Sequence, residues 1–202
     1  MNRSVLWISA ALLVLLPSIA NAKPKRLDKV SLAFTPTTII GEKDPINLTG
    51  LLKTRIQLGE FTDTRSNPAL IAENREDADK GKILAVTTKD DVAAWVKVQV
   101  GDLLGKFGLS VVPTGGDVVI SGEIRRFFVN ETSTYQADVG ILITVKDAAG
   151  VELWQGMANG SAERFGRSYK LENYAESWSD ALLEATYSLL SSAEFRQTLA
   201  KK

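Results

Sequence analysis

The chain contains no cysteine, no histidine and only six prolines among its 202 residues. Without cysteine there are no disulfides, no thiolate metal ligands and no thiol nucleophile. Without histidine it lacks the commonest general base at neutral pH and the commonest transition-metal ligand. Every Ser-His and Cys-His nucleophile arrangement is excluded as well. An excess of one charge is also missing, since 24 Lys plus Arg balance 24 Asp plus Glu. No strong field therefore recruits nucleic acid or an anionic membrane, and no nucleic-acid motif occurs. Carboxylates are scattered, with no close pair suited to glycoside chemistry or a divalent-cation cage, so neither a metal nor a cofactor is expected. Long apolar runs are almost absent: Val5 to Leu16 is the longest, short of the roughly 20 residues that cross a bilayer.

That run has the form of an address. Arg3 precedes it and Ala20-Asn21-Ala22 follows as a small-x-small cleavage site, so residues 1–22 read as a signal peptide. The mature chain then begins near Lys23, with no cysteine to carry a lipid and no later membrane span. This predicts a periplasmic protein with a basic tether over 23–29 and one domain over 30–202.

The domain is organised around residues 117–163. Val139, Ile141, Ile143 and Val145 recur at every second position, with Asp138, Gly140, Thr144 and Lys146 between them. A pleated strand sends alternate side chains to opposite faces, so this stretch has one face for a core and one for water. Asp147-Ala-Ala-Gly150 suits a type I hairpin turn closed by a glycine at positive φ. The stretch reads as an antiparallel meander. Upstream, Val30–Phe34, Leu52–Phe61, Ile83–Val86 and Leu109–Pro113 read as shorter strands, Thr62–Pro68 as a turn, and Ala69–Lys82 as a mobile loop.

Two amphipathic helices are expected to cover the meander. Over residues 90–107, Val92, Val96, Val100, Leu103 and Phe107 keep helical spacing, Thr88 with Asp91 resembles a capping box, and Gly108 suits a helix C-terminus. Four valines and two glycines oppose this helix by roughly 0.5–1 kcal/mol each. Burying the apolar stripe returns roughly 1.5–3 kcal/mol per side chain, so the helix forms against the sheet. Over residues 171–190, Leu171, Tyr174, Ala175, Trp178, Ala181, Leu182, Ala185 and Leu189 make the second stripe. Ser191–Glu194 recaps a bent extension carrying Phe195 and Leu199. The fold class is α+β, a mainly antiparallel sheet under two helices.

This order of elements resembles the YajG-like lipoproteins of Gram-negative bacteria. The resemblance rests on an exported N-terminus, Ile83-Leu-Ala-Val-Thr-Thr88, the helix leading through Gly108 into Leu109-Ser-Val-Val-Pro113, the strand and hairpin over Val118–Trp154, and the last helix closing with Ser192-Ala-Glu-Phe-Arg196. It implies an envelope protein without recognised catalytic residues, and it assigns no site. The chain departs from that family in lacking the lipidation cysteine.

Candidate contact residues are few. Asp63 and Arg65 follow a strand and suit either a polar ligand or a turn in which Asp63 accepts nearby backbone amides. Arg125 and Arg126 suit an anionic ligand through their guanidinium forks, or surface ion pairs, Asp138 being one partner. In strict alternation Glu123 and Arg125 share a face with Phe127, while Arg126 shares the other with Ile124 and Phe128. Phe127, Phe128 and Tyr135 flank the polar loop Asn130–Thr134 and are the candidate partner contacts. The expectation is a non-enzymatic protein acting through contacts with other envelope proteins. The alternative is a small-ligand binder with its pocket between the sheet and the 90–107 helix.

Overall fold

The computed structural model describes residues 26–40 and 43–200; the expected signal peptide and most of the expected tether lie outside them. The meander is present as β6 (Val118–Glu131), β7 (Thr134–Asp147) and β8 (Glu152–Phe165), paired antiparallel in that order. Gly150 closes the β7–β8 turn at φ +84, donating its amide to the Asp147 carbonyl at 2.9 Å, as the turn residues require. Ile120, Ile124, Val139, Ile141, Ile143 and Val145 are all buried on one face. The opposite face of the meander is open.

Among the described residues, five shorter strands extend the sheet: β1 (Leu27–Val30), β2 (Arg55–Asp63), β3 (Leu70–Asp77), β4 (Lys82–Thr88) and β5 (Ser110–Val112). β2 and β3 lie end to end along the free side of β6, both parallel to it, Asp63 opposite Ile124 and Ala72 opposite Val129. β4 then joins β3 antiparallel and β1 joins β4 parallel, while β5 joins β2 parallel. The fold is α+β, with an antiparallel meander extended on one side by these short strands. Two expectations are corrected here. Residues 70–77 are a strand rather than a mobile loop, flanked on both sides, with Glu73 and Arg75 paired to each other at 2.8 Å. Residues 27–29, expected to belong to a tether, are part of β1, where Leu27 is buried and pairs with Val86.

Among the described residues, three α-helices cover the core face: α1 (Val92–Lys106), α2 (Leu171–Ser191) and α3 (Ala193–Ala200). Asp91 caps α1 by accepting the Ala94 amide at 3.0 Å. Thr88, expected to join a capping box, instead donates to the Val30 carbonyl. Val92, Val96, Val100 and Leu103 are buried as the spacing predicts. Gly108 ends the helix at φ +88, and the Leu109 amide turns back to the Leu104 carbonyl. Ser192 recaps the chain by accepting the Phe195 amide, and Phe195 and Leu199 are buried.

α2 lies on β8 and β7 at close range. The core side of β8 carries only small residues between Trp154 and Arg164, namely Gly156, Ala158, Gly160 and Ala162. A Cβ at Gly160 would overlap the Ala181 carbonyl oxygen and the Ala185 amide nitrogen of α2. Trp154 folds its ring over Gly156 and meets Phe195 edge to face at 5.3 Å.

Residues 31–34, expected to be a strand, are extended without a strand partner. They continue to residue 40 as a strap across the helices. The Ala33 carbonyl accepts Trp178 Nε1 at 2.9 Å, and Ser179 Oγ accepts the Thr35 amide at 3.0 Å. Asp180 Oδ1 accepts the amides of Thr37 and Thr38, each at 2.8 Å. Side chains of α2 thus satisfy the strap's backbone where a neighbouring strand would otherwise do so.

Candidate functional site

The face on which each β6 side chain lies is set by a bulge. Ile124 pairs with Ile141 and Arg126 with Gly140, which leaves Arg125 as an extra residue. The bulge lets Ile124 and Phe127 both reach the core and turns Arg125 and Arg126 together to the open side. Strict alternation is therefore wrong across this point. Arg125 pairs with Glu123 at 2.5 Å and Arg126 with Asp138 at 3.8 Å, all four side chains well exposed. Such pairs contribute under about 1 kcal/mol each.

The expected partner contacts divide. Phe127 is fully buried between Trp95 and Trp178, with ring centroids 5.7 and 6.1 Å away. Tyr135 is fully buried against Tyr174 at 5.0 Å. Neither offers surface to a partner, because the bulge and the strand register direct both into the core. Phe128 alone stays half-exposed on the open face.

Asp63 and Arg65 are placed together but are used internally. Arg65 bridges the break between β2 and β3, where β6 lacks a strand neighbour. It forks onto both Asp63 oxygens and donates to the carbonyls of Phe127 (2.9 Å), Leu70 (3.0 Å) and Pro68 (2.7 Å). Both side chains are about nine-tenths buried. The guanidinium takes the place of the missing strand amides. A shallow depression of about 240 Å³ brings Arg65, Arg125, Arg126 and Phe128 to one place, although Arg65 has its donors committed.

A larger groove, about 600 Å³, runs from Arg125 and Arg126 over Gly140, Met157 and Asn159, around the edge of β8 at Gly160 and Ser161, to Glu184 and Ser188 on α2. Its floor is Gly140, where a Cβ would meet Asn159 Oδ1, Arg126 Cβ and Met157 Cε at 3.3–3.5 Å. Apart from the two arginines and Asp138, its residues escaped sequence reasoning, because polar residues alternating on a strand read as solvated surface. The small-ligand pocket expected between the sheet and α1 is not seen among the described residues: Val96 and Leu104 fill that interface and are fully buried.

Glu131 is the other residue missed. It continues the core row of Phe127 and Val129 and is fully buried, so a charge on an inward register position was its available signal. Its carboxylate accepts the amides of Ser168 (2.7 Å) and Tyr169 (2.9 Å) and the hydroxyl of Tyr174. Burial pushes this carboxyl up, but the Tyr169 amide, the Tyr174 hydroxyl, Asn74 and Tyr135 outweigh burial and hold it below the usual range. Tyr174 is pushed the other way, by burial first and then by its bond to the carboxylate. The cluster pins residues 166–170, where Tyr169 adopts φ +46, to the N-terminus of α2. Among the described residues, no group of three or more Asp and Glu is placed to hold a metal, and no helix is long and apolar enough to cross a membrane.

No family model matches the chain, and no curated protein matches it. Solved structures of similar fold do exist. A Xanthomonas campestris protein described by the family model DUF330 superposes with TM-score 0.51 at 12% identity, covering 71% of this chain and 85% of its own. A candidate lipoprotein of Caulobacter crescentus gives TM-score 0.44 at 14% identity, over 55% of this chain and 84% of that one. PelC of Paraburkholderia phytofirmans, solved as a dodecamer, gives 0.43 at 10%, over 68% and 89%. At 12% identity the Xanthomonas likeness shows the α+β fold alone, and the other two are too distant to add to it.

Proposed function

We propose that this is a non-enzymatic protein of the bacterial periplasm that acts through contacts with other envelope proteins, with a YajG-like relationship behind its fold. The observation that carries the reading is the groove around β8. It is open, it crosses a sheet edge rather than entering the core, and its walls are amide, hydroxyl, charged and thioether groups. Such a surface suits a polypeptide better than an enclosed small molecule, whose sites are concave and mainly apolar. The acids and guanidinium buried in the fold support the same reading. Glu131 is saturated with donors and held ionised, and Arg65 is committed to Asp63 and backbone carbonyls, so neither is free for proton transfer or ligand capture.

Cross-linking in intact cells followed by purification of this chain tests the reading. The expected result is one or a few enriched envelope proteins whose cross-links fall on the open sheet face or β8. A strictly solitary chain, or turnover of an envelope substrate by the purified protein, overturns it.

A further inference from the structure

We infer that the outer edge of β8 is a docking strand for an extended segment of another polypeptide, uncharged in its middle and carrying a basic residue near each end. This rests on the protein-contact reading above and specifies its mode. β8 is fourteen residues long and, among the described residues, pairs on one side only, with β7. Among the described residues, no loop or side chain bonds to its outer backbone. Sheet edges of this length are normally guarded by lysine, proline or inward charge. Here Leu153 to Ala162 contains no charged residue and no proline, in a chain that is 24% charged. At the end of the strand Phe165 is 94% exposed and stands on the open face opposite Thr134, next to an edge that can take another strand.

The neighbourhood decides the occupant. A second copy, added edge to edge about a twofold axis, would set two β8 strands about 4.8 Å apart. α2 lies over β8 and β7 with its backbone in contact with Gly160, so the two α2 helices would be crowded together where they cross β8. Packed helices need 8–10 Å between axes, and this crowding disfavours a second copy. A segment without a covering helix meets no such obstacle. The uncharged run is bounded by Glu152 and Glu163, both exposed and neither in a salt bridge among the described residues, which favours basic residues at the two ends of the incoming strand.

Selection of peptides from a random display library on the folded protein tests this. The expected outcome is extended peptides with uncharged centres and Lys or Arg flanks, whose binding slows amide exchange within 152–165. Glu152→Lys with Glu163→Lys should weaken the selected peptide by about tenfold or more, and Phe165→Ala, at a fully exposed site, should weaken it without lowering Tm. Three results overturn the inference: protection outside 152–165, affinity indifferent to the charge reversal, or concentration-dependent protection of β8 without peptide, which would mean pairing between copies. If cross-linked neighbours are recovered in cells but map away from β8, the protein-contact reading stands and this inference alone falls.

Discussion

Arg65 and Glu131 show how single ionised side chains hold this fold where its sheet is incomplete. Replacing Arg65 by Ala strands the nearly buried Asp63 carboxylate and removes donors from the Phe127, Leu70 and Pro68 carbonyls. Breaking a buried pair from one side costs about 3–5 kcal/mol, and a urea titration of Arg65→Ala should show a loss of that size. Arg65→Lys should recover only part of it, because an ammonium cannot fork onto Asp63 and reach three carbonyls at once. Glu131 makes stability depend on pH. Its folded carboxyl is held below the unfolded value of about 4.3, so its contribution is complete above that value and is lost as pH falls through the folded value. Glu131→Gln should therefore cost about 1–3 kcal/mol near pH 7 and progressively less in acid. Urea midpoints of both proteins should converge as the pH is lowered, and a constant gap would refute the assignment.

At the scale of elements, the contact between α2 and β8 is set by one missing Cβ. Gly160→Ala drives a methyl into the backbone of α2, which cannot rotate aside, so the helix must lift from the strand. A cost of about 1–3 kcal/mol is expected, while Gly140→Ala, where only the Asn159 amide oxygen at 3.3 Å must yield slightly, should cost well under half as much. Thermal melts of the two variants make the comparison. The meander and both long helices were legible because periods of two and of 3.6 persist over long stretches, with Gly108 and Gly150 as punctuation. β3 was not legible, since Ile71-Ala-Glu-Asn-Arg75 has no alternation and its polar side chains find partners only after folding. The strap misread as a strand alternates in the same way, and alternation does not reveal whether the covering surface is a sheet or a pair of helices. The bulge at Arg125 had a signal that strict alternation hid: Ile124 and Phe127, three apart in a strand, share a core only if an extra residue lies between them. The parallel pairing of β2 and β3 with β6 left no local mark at all, and with it went the role of Arg65 and the fate of Phe127.

Over the whole molecule, the sheet, the helices and the strap form three successive layers, and the outermost is held by polar contacts to α2 together with the partly buried Leu32, Phe34 and Ile40. Ser179 and Asp180 are buried although they lie on the side of α2 away from the sheet, which follows only if residues 31–40 cover them. The strap carries no backbone ladder of its own, so it should be the part of this region that opens most easily. Asp180→Ala removes the acceptor for two strap amides and the Thr37 hydroxyl without touching the sheet. The local loss is about 1–3 kcal/mol, which raises the open population of the strap by about fivefold to 150-fold. Cleavage that follows the open population should then quicken by a similar factor within residues 31–40, while β6 to β8 stay protected and the global urea midpoint moves much less. Thr37→Val, which spares both amide bonds, should quicken cleavage only slightly. Equal acceleration across the chain would instead mean that the strap and core unfold together, and that the outer layer is as much a part of the cooperative unit as the meander.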